Sequence, residues 1–281
     1  MNNIHIVLDS TAHVEDEFLQ KYKNLHKVSL KVRIADQEWD EDELSAHDLF
    51  IETKKAGVMQ QTSQPPIGEF IQLFQSIVDQ GDTCIVIAVA GALSGTVQGA
   101  RTAAVTVDKK KIYVIDAQTT AIGMVRMAES ALEMIEAGKS IEQILEVLHK
   151  QVKATHTLIL PDSLEYLHRG GRIGGASALV GTILQIKPVL YLTEGRIAIL
   201  DKVRTRKKAI DRLIEELVKC GELEYIGVVQ IEAENDGIEI KARVAEIYPA
   251  VKISLTTVGA VIAAHTGPGT LGFIYQEKIE R

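Results

Sequence analysis

The chain has 281 residues, of which 46% are hydrophobic and 25% charged, a globular balance that excludes disorder as its main state. Its formal net charge of -7 argues against a general nucleic-acid binder, because phosphates call for a basic surface. No apolar run approaches the roughly 20 residues of a membrane span. The two cysteines, Cys84 and Cys220, form neither a C-x-x-C pair nor a disulfide framework.

The first residues lack a basic segment followed by a long apolar one, so Ile4–Leu8 reads as a first strand rather than a signal peptide. A cytoplasmic protein is expected. A helix is predicted around Val14–Tyr22, a strand over Val28–Ile34 and an acidic connection over Asp36–Glu43. Ala46–Ala56 reads as a helix, and Thr62-Ser63-Gln64-Pro65-Pro66 as a loop, since paired prolines interrupt a helix. Gly68–Val78 resumes helical periodicity. Cys84–Ala90, apolar on both faces, predicts a central parallel strand. The helix Val97–Val107, the strand Lys111–Ile115, a helix from about Ala121 and a helix marked by Ile141, Ile144, Leu145, Leu148 and Val152 continue the alternation. Alternating strands and helices predict an α/β layer.

The rhythm changes near residue 155, where a domain boundary is expected. Thr155–Leu160 reads as a strand and Ser163–His168 as a short helix. Lys187–Leu192 and Arg196–Leu200 flank a hairpin turn at Thr193-Glu194-Gly195. An amphipathic helix through Ile210–Val218, a strand Tyr225–Ile231, a helix near Ile238–Tyr248 and strands Lys252–Leu255 and Leu271–Gln276 complete an α+β half.

Three turns carry candidate chemistry. Thr62-Ser63-Gln64-Pro65 sets two hydroxyls beside a rigid turn, and it equally suits a helix N-cap. Ser94-Gly95-Thr96 follows the buried strand, where helix N-termini aim N–H groups at anions. It also suits plain capping. It lacks the lysine of a phosphate loop and the G-x-S-x-G elbow of serine hydrolases. His265-Thr266-Gly267-Pro268-Gly269 joins an imidazole to a glycine loop, and such a histidine is equally a structural one. Arg172 sits in His168-Arg169-Gly170-Gly171-Arg172, and Arg204 opens a basic cluster at a helix start, against the helix dipole. No His/Cys/Asp/Glu spacing suggests a metal site.

In this order, Asp9-Ser10-Thr11, Thr62-Ser63-Gln64-Pro65, Leu93-Ser94-Gly95-Thr96, Leu164 to Ile173, Arg204-Thr205-Arg206 and His265-Thr266-Gly267-Pro268-Gly269 resemble the DegV family, from residue 4 to past residue 270. The resemblance implies a two-domain α/β fold: a parallel-sheet domain over 1–154 and a mixed α+β lipid-binding domain over 155–281. It implies a long-chain fatty acid as ligand, no further cofactor, and a separate fatty acid kinase as partner that phosphorylates the presented carboxylate. The chain itself is expected to be a carrier without turnover, binding no nucleic acid and able to touch a membrane surface transiently. Carried over, Thr62, Ser63, Ser94, Gly95, His265 and Thr266 hold the carboxylate, while Arg172 and Arg204 serve partner docking or phosphoryl transfer. The family often has further hydroxyls where Pro66 and Ala90-Gly91 stand here. Leu158–Leu160, Ala178–Ile186 and Val258–Ala264 are candidate tunnel walls. The alternative is a serine-type esterase using Ser94 and His265, for which spacing supplies no orienting acid.

Overall fold

The computed structural model describes residues 3–179 and 186–280. The chain through residue 154 forms β1 (Ile4–Asp9), α1 (Asp16–Lys21), β2 (Leu25–Val28), β3 (Lys31–Ile34), β4 (Gln37–Asp40), α2 (Ala46–Ala56), β5 (Gln61–Ser63), α3 (Ile67–Val78), β6 (Thr83–Ala88), α4 (Thr96–Val107), β7 (Ile112–Asp116), α5 (Ile122–Glu136) and α6 (Ile141–Ala154). This first half builds a parallel sheet in the order β2-β1-β6-β7 and a small antiparallel sheet β4-β3-β5.

Helices on both faces explain why the middle of β1, residues 6–8, and residues 84–88 of β6 are apolar at consecutive positions. Ile6, Leu8, Ile85 and Ile87 face α5 and α6 through Met124, Met127, Ile144 and Leu148. Val7, Cys84, Val86 and Ala88 face α3 and α4 through Phe70, Phe74, Val97 and Ala103. A strand with helices on both faces has no solvent side to keep polar.

The second half begins at β8 (Thr155–Leu160) and continues through α7 (Glu165–Arg169), β9 (Lys187–Thr193), β10 (Arg196–Val203), α8 (Arg206–Val218), β11 (Leu223–Ile231), α9 (Glu234–Ile247), β12 (Lys252–Thr257), α10 (Ala260–Thr266) and β13 (Thr270–Glu277). Its six-stranded mixed sheet runs β10-β9-β8-β13-β11-β12. The apolar stripe of α8, with Ile210, Leu213 and Leu217, covers one face together with Ile240 and Val244 of α9. The other face receives α10 and the small sheet, where Val258 and Val261 meet Ile274, Leu30, Val32 and Ile34. The mixed α/β class matches the expectation.

Three local expectations differ. Val28–Ile34 is two strands, because the Ser10 hydroxyl takes the Leu30 N–H at 2.9 Å and turns the chain between them. The acidic connection contains β4, and Thr62-Ser63 lie in β5, an edge strand paired with β3. Val258–Ala264, named only as a candidate wall, contributes Val258, Val261 and Ile262 to a cavity lining and also supplies most of α10, whose last turn carries His265. The β9–β10 turn closes as expected, with Glu194 and Gly195 both at positive φ (49° and 72°), the pattern of a two-residue hairpin. That turn rests on the first half, since a Cβ on Gly195 would lie 3.1 Å from Ala90 Cβ.

Candidate functional site

In the parallel sheet, α1 follows β1 on one face and α4 follows β6 on the other. Adjacent strands whose crossovers leave in opposite directions open a crevice at their carboxyl ends. Asp9 pins that edge. Its carboxylate accepts the Val89 N–H at 2.6 Å and the Thr11 N–H at 3.1 Å. Burial raises its pKa to about 6 even against these donors.

A cavity enclosing about 840 Å³ of space, with the open solvent at its mouth included, lies over this edge. The first half contributes Thr11, Thr62, Ser63, Gln64, Ser94, Gly95 and Thr120; the second contributes Arg172, His265 and Thr266. Apolar walls come from Leu30, Val89, Leu93, Ile159, Leu192, Ile197 and Ile262. A second, smaller chamber shares Thr120, Ile159, Ile262 and Thr266 with the first and is walled by Leu158, Val229, Val258, Leu271 and Ile274. Together they form a polar head and an apolar extension. Leu160 instead faces the core under α8, and residues 180–185 of the expected wall Ala178–Ile186 lie outside the described residues.

The polar end is built for donation to an oxyanion. His265 Nε2 lies 2.7 Å from Thr62 Oγ1. Burial first, and Arg172 second, hold the imidazole pKa down to about 4, so the ring is neutral at pH 7. Its Nδ1 is buried without a partner, against the backbone of Gly170, where any Cβ would collide with it. A buried polar atom left unpaired costs about 1–3 kcal/mol and marks a place worth explaining. Ser94 Oγ lies 2.9 Å from Thr96 Oγ1 and accepts the Thr96 N–H at 3.3 Å. Gln64 lies across Gly95 so closely that a Cβ there would overlap its amide oxygen.

Arg172 bridges the halves. Its Nε donates to Leu93 O at 3.0 Å and its Nη1 to Gly170 O at 2.7 Å. Carbonyls orient the guanidinium without neutralising it, and no carboxylate among the described residues pairs with it. Arg204 is exposed between β10 and α8 and is not part of the cavity lining. Among the described residues no group of three His, Cys, Asp or Glu side chains is placed to hold a metal ion, and no helix is long and apolar enough to cross a membrane.

For an esterase, Ser94 should bond to His265. The imidazole is instead bonded to Thr62, its other nitrogen meets no acid, and Ser94 is bonded to Thr96. A base held near pKa 4 is also poorly matched to proton abstraction at neutral pH.

Thr120 was not among the predicted site residues, although it lines both chambers. Its turn, Ala117–Ala121, holds Gln118 and Ala121 at φ of 52° and 47°, conformations that cost non-glycine residues about 1–3 kcal/mol and cluster at functional sites. The sequence signal was the hydroxyl pair Thr119-Thr120 directly before a helix.

A family model described as "Uncharacterised protein, DegV family" matches residues 3–278. A DegV domain-containing protein of Listeria innocua is 35% identical over 280 residues, covering 98% of this chain and 99% of its own. Protein DegV of Bacillus subtilis is 32% identical over 278 residues, covering 97% and 99%. Among solved structures, a DegV family protein of Thermus thermophilus described as fatty acid binding superposes with a TM-score of 0.90 at 30% identity, covering 98% of this chain and 100% of its own. DegV of Bacillus subtilis, described as a fatty acid binding protein, superposes with a TM-score of 0.88 at 32% identity, covering 99% and 100%. With five of the six ordered segments represented at one cavity and likeness running nearly end to end, this chain belongs to the DegV family.

Proposed function

We propose that the protein is a cytoplasmic carrier that binds one long-chain fatty acid between two domains, residues 1–154 and 155–281. It presents the carboxylate to a separate fatty acid kinase, which forms the acyl-phosphate, and has no turnover of its own. The observation that carries this reading is the two-chamber cavity, with hydroxyls, imidazole and guanidinium at one end and an apolar extension at the other. The description of relatives as fatty acid binding supports it.

Thr62, Ser63, Ser94, Gly95, His265 and Thr266 form the carboxylate grip in this reading. In the Nε2–H tautomer, neutral His265 donates to Thr62 Oγ1, which frees the Thr62 hydroxyl hydrogen for the ligand. Ser94, already accepting the Thr96 N–H, likewise has its own hydrogen to give. Arg172 supplies the positive charge. Each charge-assisted bond contributes about 1.5–3 kcal/mol. Each buried methylene contributes about 0.8 kcal/mol, so a long tail dominates affinity and the head sets orientation. Arg204, outside the cavity, serves the kinase.

The test is solvent extraction and mass spectrometry of protein freshly purified from a bacterial host, with fatty-acid titration of the delipidated chain. A near-stoichiometric acyl chain and saturable rebinding are expected. Absence of lipid together with failure to bind added fatty acid would remove the proposal. Ester turnover abolished by Ser94→Ala would replace it with a hydrolase.

A further inference from the structure

The helix that carries His265 and Thr266 is held at both ends by the other half of the molecule. α10 has seven residues, too few for a helix to be stable by itself. At its start, Glu41 Oε1 accepts the Val261 N–H at 3.0 Å. The other carboxylate oxygen takes the Ser10 hydroxyl at 2.5 Å, and Ser10 in turn takes the Leu30 N–H. At its end, Gln60 Nε2 donates to Ala264 O at 2.8 Å, while Gln60 Oε1 takes the Thr53 hydroxyl of α2 at 3.1 Å. Thr62 then meets His265 itself.

These partners lie more than 200 residues apart in sequence, at separations of 220 and 204 for the two clamps. Glu41 and Gln60 are both buried, and neither lines the chambers. The clamp at the helix start sits close against the backbone, since a Cβ on Gly259 would stand 2.5 Å from Glu41 Oε1. A free helix N–H and a free helix carbonyl need partners, and a buried carboxylate is an expensive way to supply one. That expense is unexplained by the cavity lining alone.

We infer that Glu41 and Gln60 are positioning residues of the carboxylate grip: by clamping both ends of α10 to the first half, they fix His265 at the distance at which it shares Thr62. The inference deepens the fatty-acid reading and rests on it for the ligand. The orientation of His265 is a property of the unliganded protein. Neither clamp lines the cavity, and the His265 signals separate an effect carried by α10 from one carried by Ser10 and Leu30.

The experiment compares wild type with Glu41→Ala, Glu41→Gln and Gln60→Glu. Glu41→Gln can still accept from Val261 and donate to Ser10, whereas Gln60→Glu sets an acceptor against the Ala264 carbonyl. Two quantities are measured on each delipidated full chain: the side-chain ¹⁵N signals of His265 by NMR, and palmitate affinity by titration. Circular dichroism checks that each remains folded. Glu41→Ala and Gln60→Glu should displace the His265 signals and weaken palmitate binding by about fivefold or more, the effect of one lost buried hydrogen bond. Glu41→Gln should restore most of both. His265 signals unchanged in folded Glu41→Ala and Gln60→Glu would overturn the inference. So would displaced signals with undiminished affinity in a chain whose wild type binds. A wild type that binds no fatty acid defeats the reading of the preceding section alone, and the His265 signals then decide the clamp by themselves. If Glu41→Ala does not fold, the Gln60→Glu and Glu41→Gln pair decides.

Discussion

The two ends of the cavity are made in different ways. The polar end is assembled from short pieces that are far apart in sequence: an edge strand with Thr62 and Ser63, a strand-to-helix turn with Ser94, a two-turn helix with His265 and the loop holding Arg172. The apolar extension is walled by the regular strands β8, β11 and β13 with one flank of α10. Donors need individual aim, which turns and helix ends supply. Apolar tails need only shape and dryness, which a sheet face supplies. The extension should therefore govern how tightly a ligand is held, and the head which way it points.

The harshest way to break this division is to wet the extension. Ile159→Gln, at the junction of both chambers, should weaken palmitate binding on the order of 100-fold, because a buried amide without partners costs about 1–3 kcal/mol on top of lost packing. Titration calorimetry reads this directly. Ser94→Ala or His265→Ala should cost only about tenfold each, the worth of one charge-assisted bond, made by Ser94 itself and, for His265, by the Thr62 hydroxyl that it orients. If either head variant cost more than the wall variant, the head would be the seat of affinity.

A third prediction sets the two ends of α10 against each other by pH. The Glu41 carboxyl is raised by burial to about 7 in the folded chain, so its favourable contribution is full below the ordinary value near 4.5 and is lost as pH rises through 7. The His265 imidazole is depressed to about 4, so its contribution is present above about 6.5 and lost as pH falls toward 4. The two windows overlap and oppose each other between about pH 4.5 and 6.5, so these two groups nearly cancel there in the wild type. Glu41→Gln removes one of them, and the difference in unfolding free energy between variant and wild type should change by on the order of 3 kcal/mol from about pH 4.5 to 7. Asp9, raised to about 6, is common to both chains. A difference that stays constant over that window would count against a buried, neutral-preferring Glu41.

The smallest effect on binding belongs to Arg204→Ala. Palmitate affinity should be unchanged, while phosphorylation by the proposed kinase partner falls roughly 3- to 10-fold, as for a charge at an interface rim. Weakened binding in this variant would mean that Arg204 reaches the ligand.

Much of this architecture was legible because some signals are local. Ala46–Ala56 and Thr155–Leu160 match the observed α2 and β8, since amphipathic period and β-branched composition act within each segment. Thr62 and Ser63 looked like a loop because β5 exists only through its pairing with β3, some thirty residues away. Val258–Ala264 is apolar on every face, and a short run of that kind does not distinguish strand from helix. Its helical part is hydrogen-bonded to Glu41 and Gln60, which no local pattern connects to it. The site turns could be gathered only as an ordered set, since each by itself suits ordinary capping. Thr120 escaped even that, because its turn is defined by backbone conformation rather than by a glycine.

The most direct test of the account is a crystal structure of the full chain grown with palmitate. It should show one elongated ligand with its carboxylate among Thr62, Ser94 and His265 and its tail passing Ile159 and Ile262 into the second chamber. A carboxylate at the far end of that chamber, or a ligand that leaves the Thr62–Ser94–His265 end unoccupied, would contradict it.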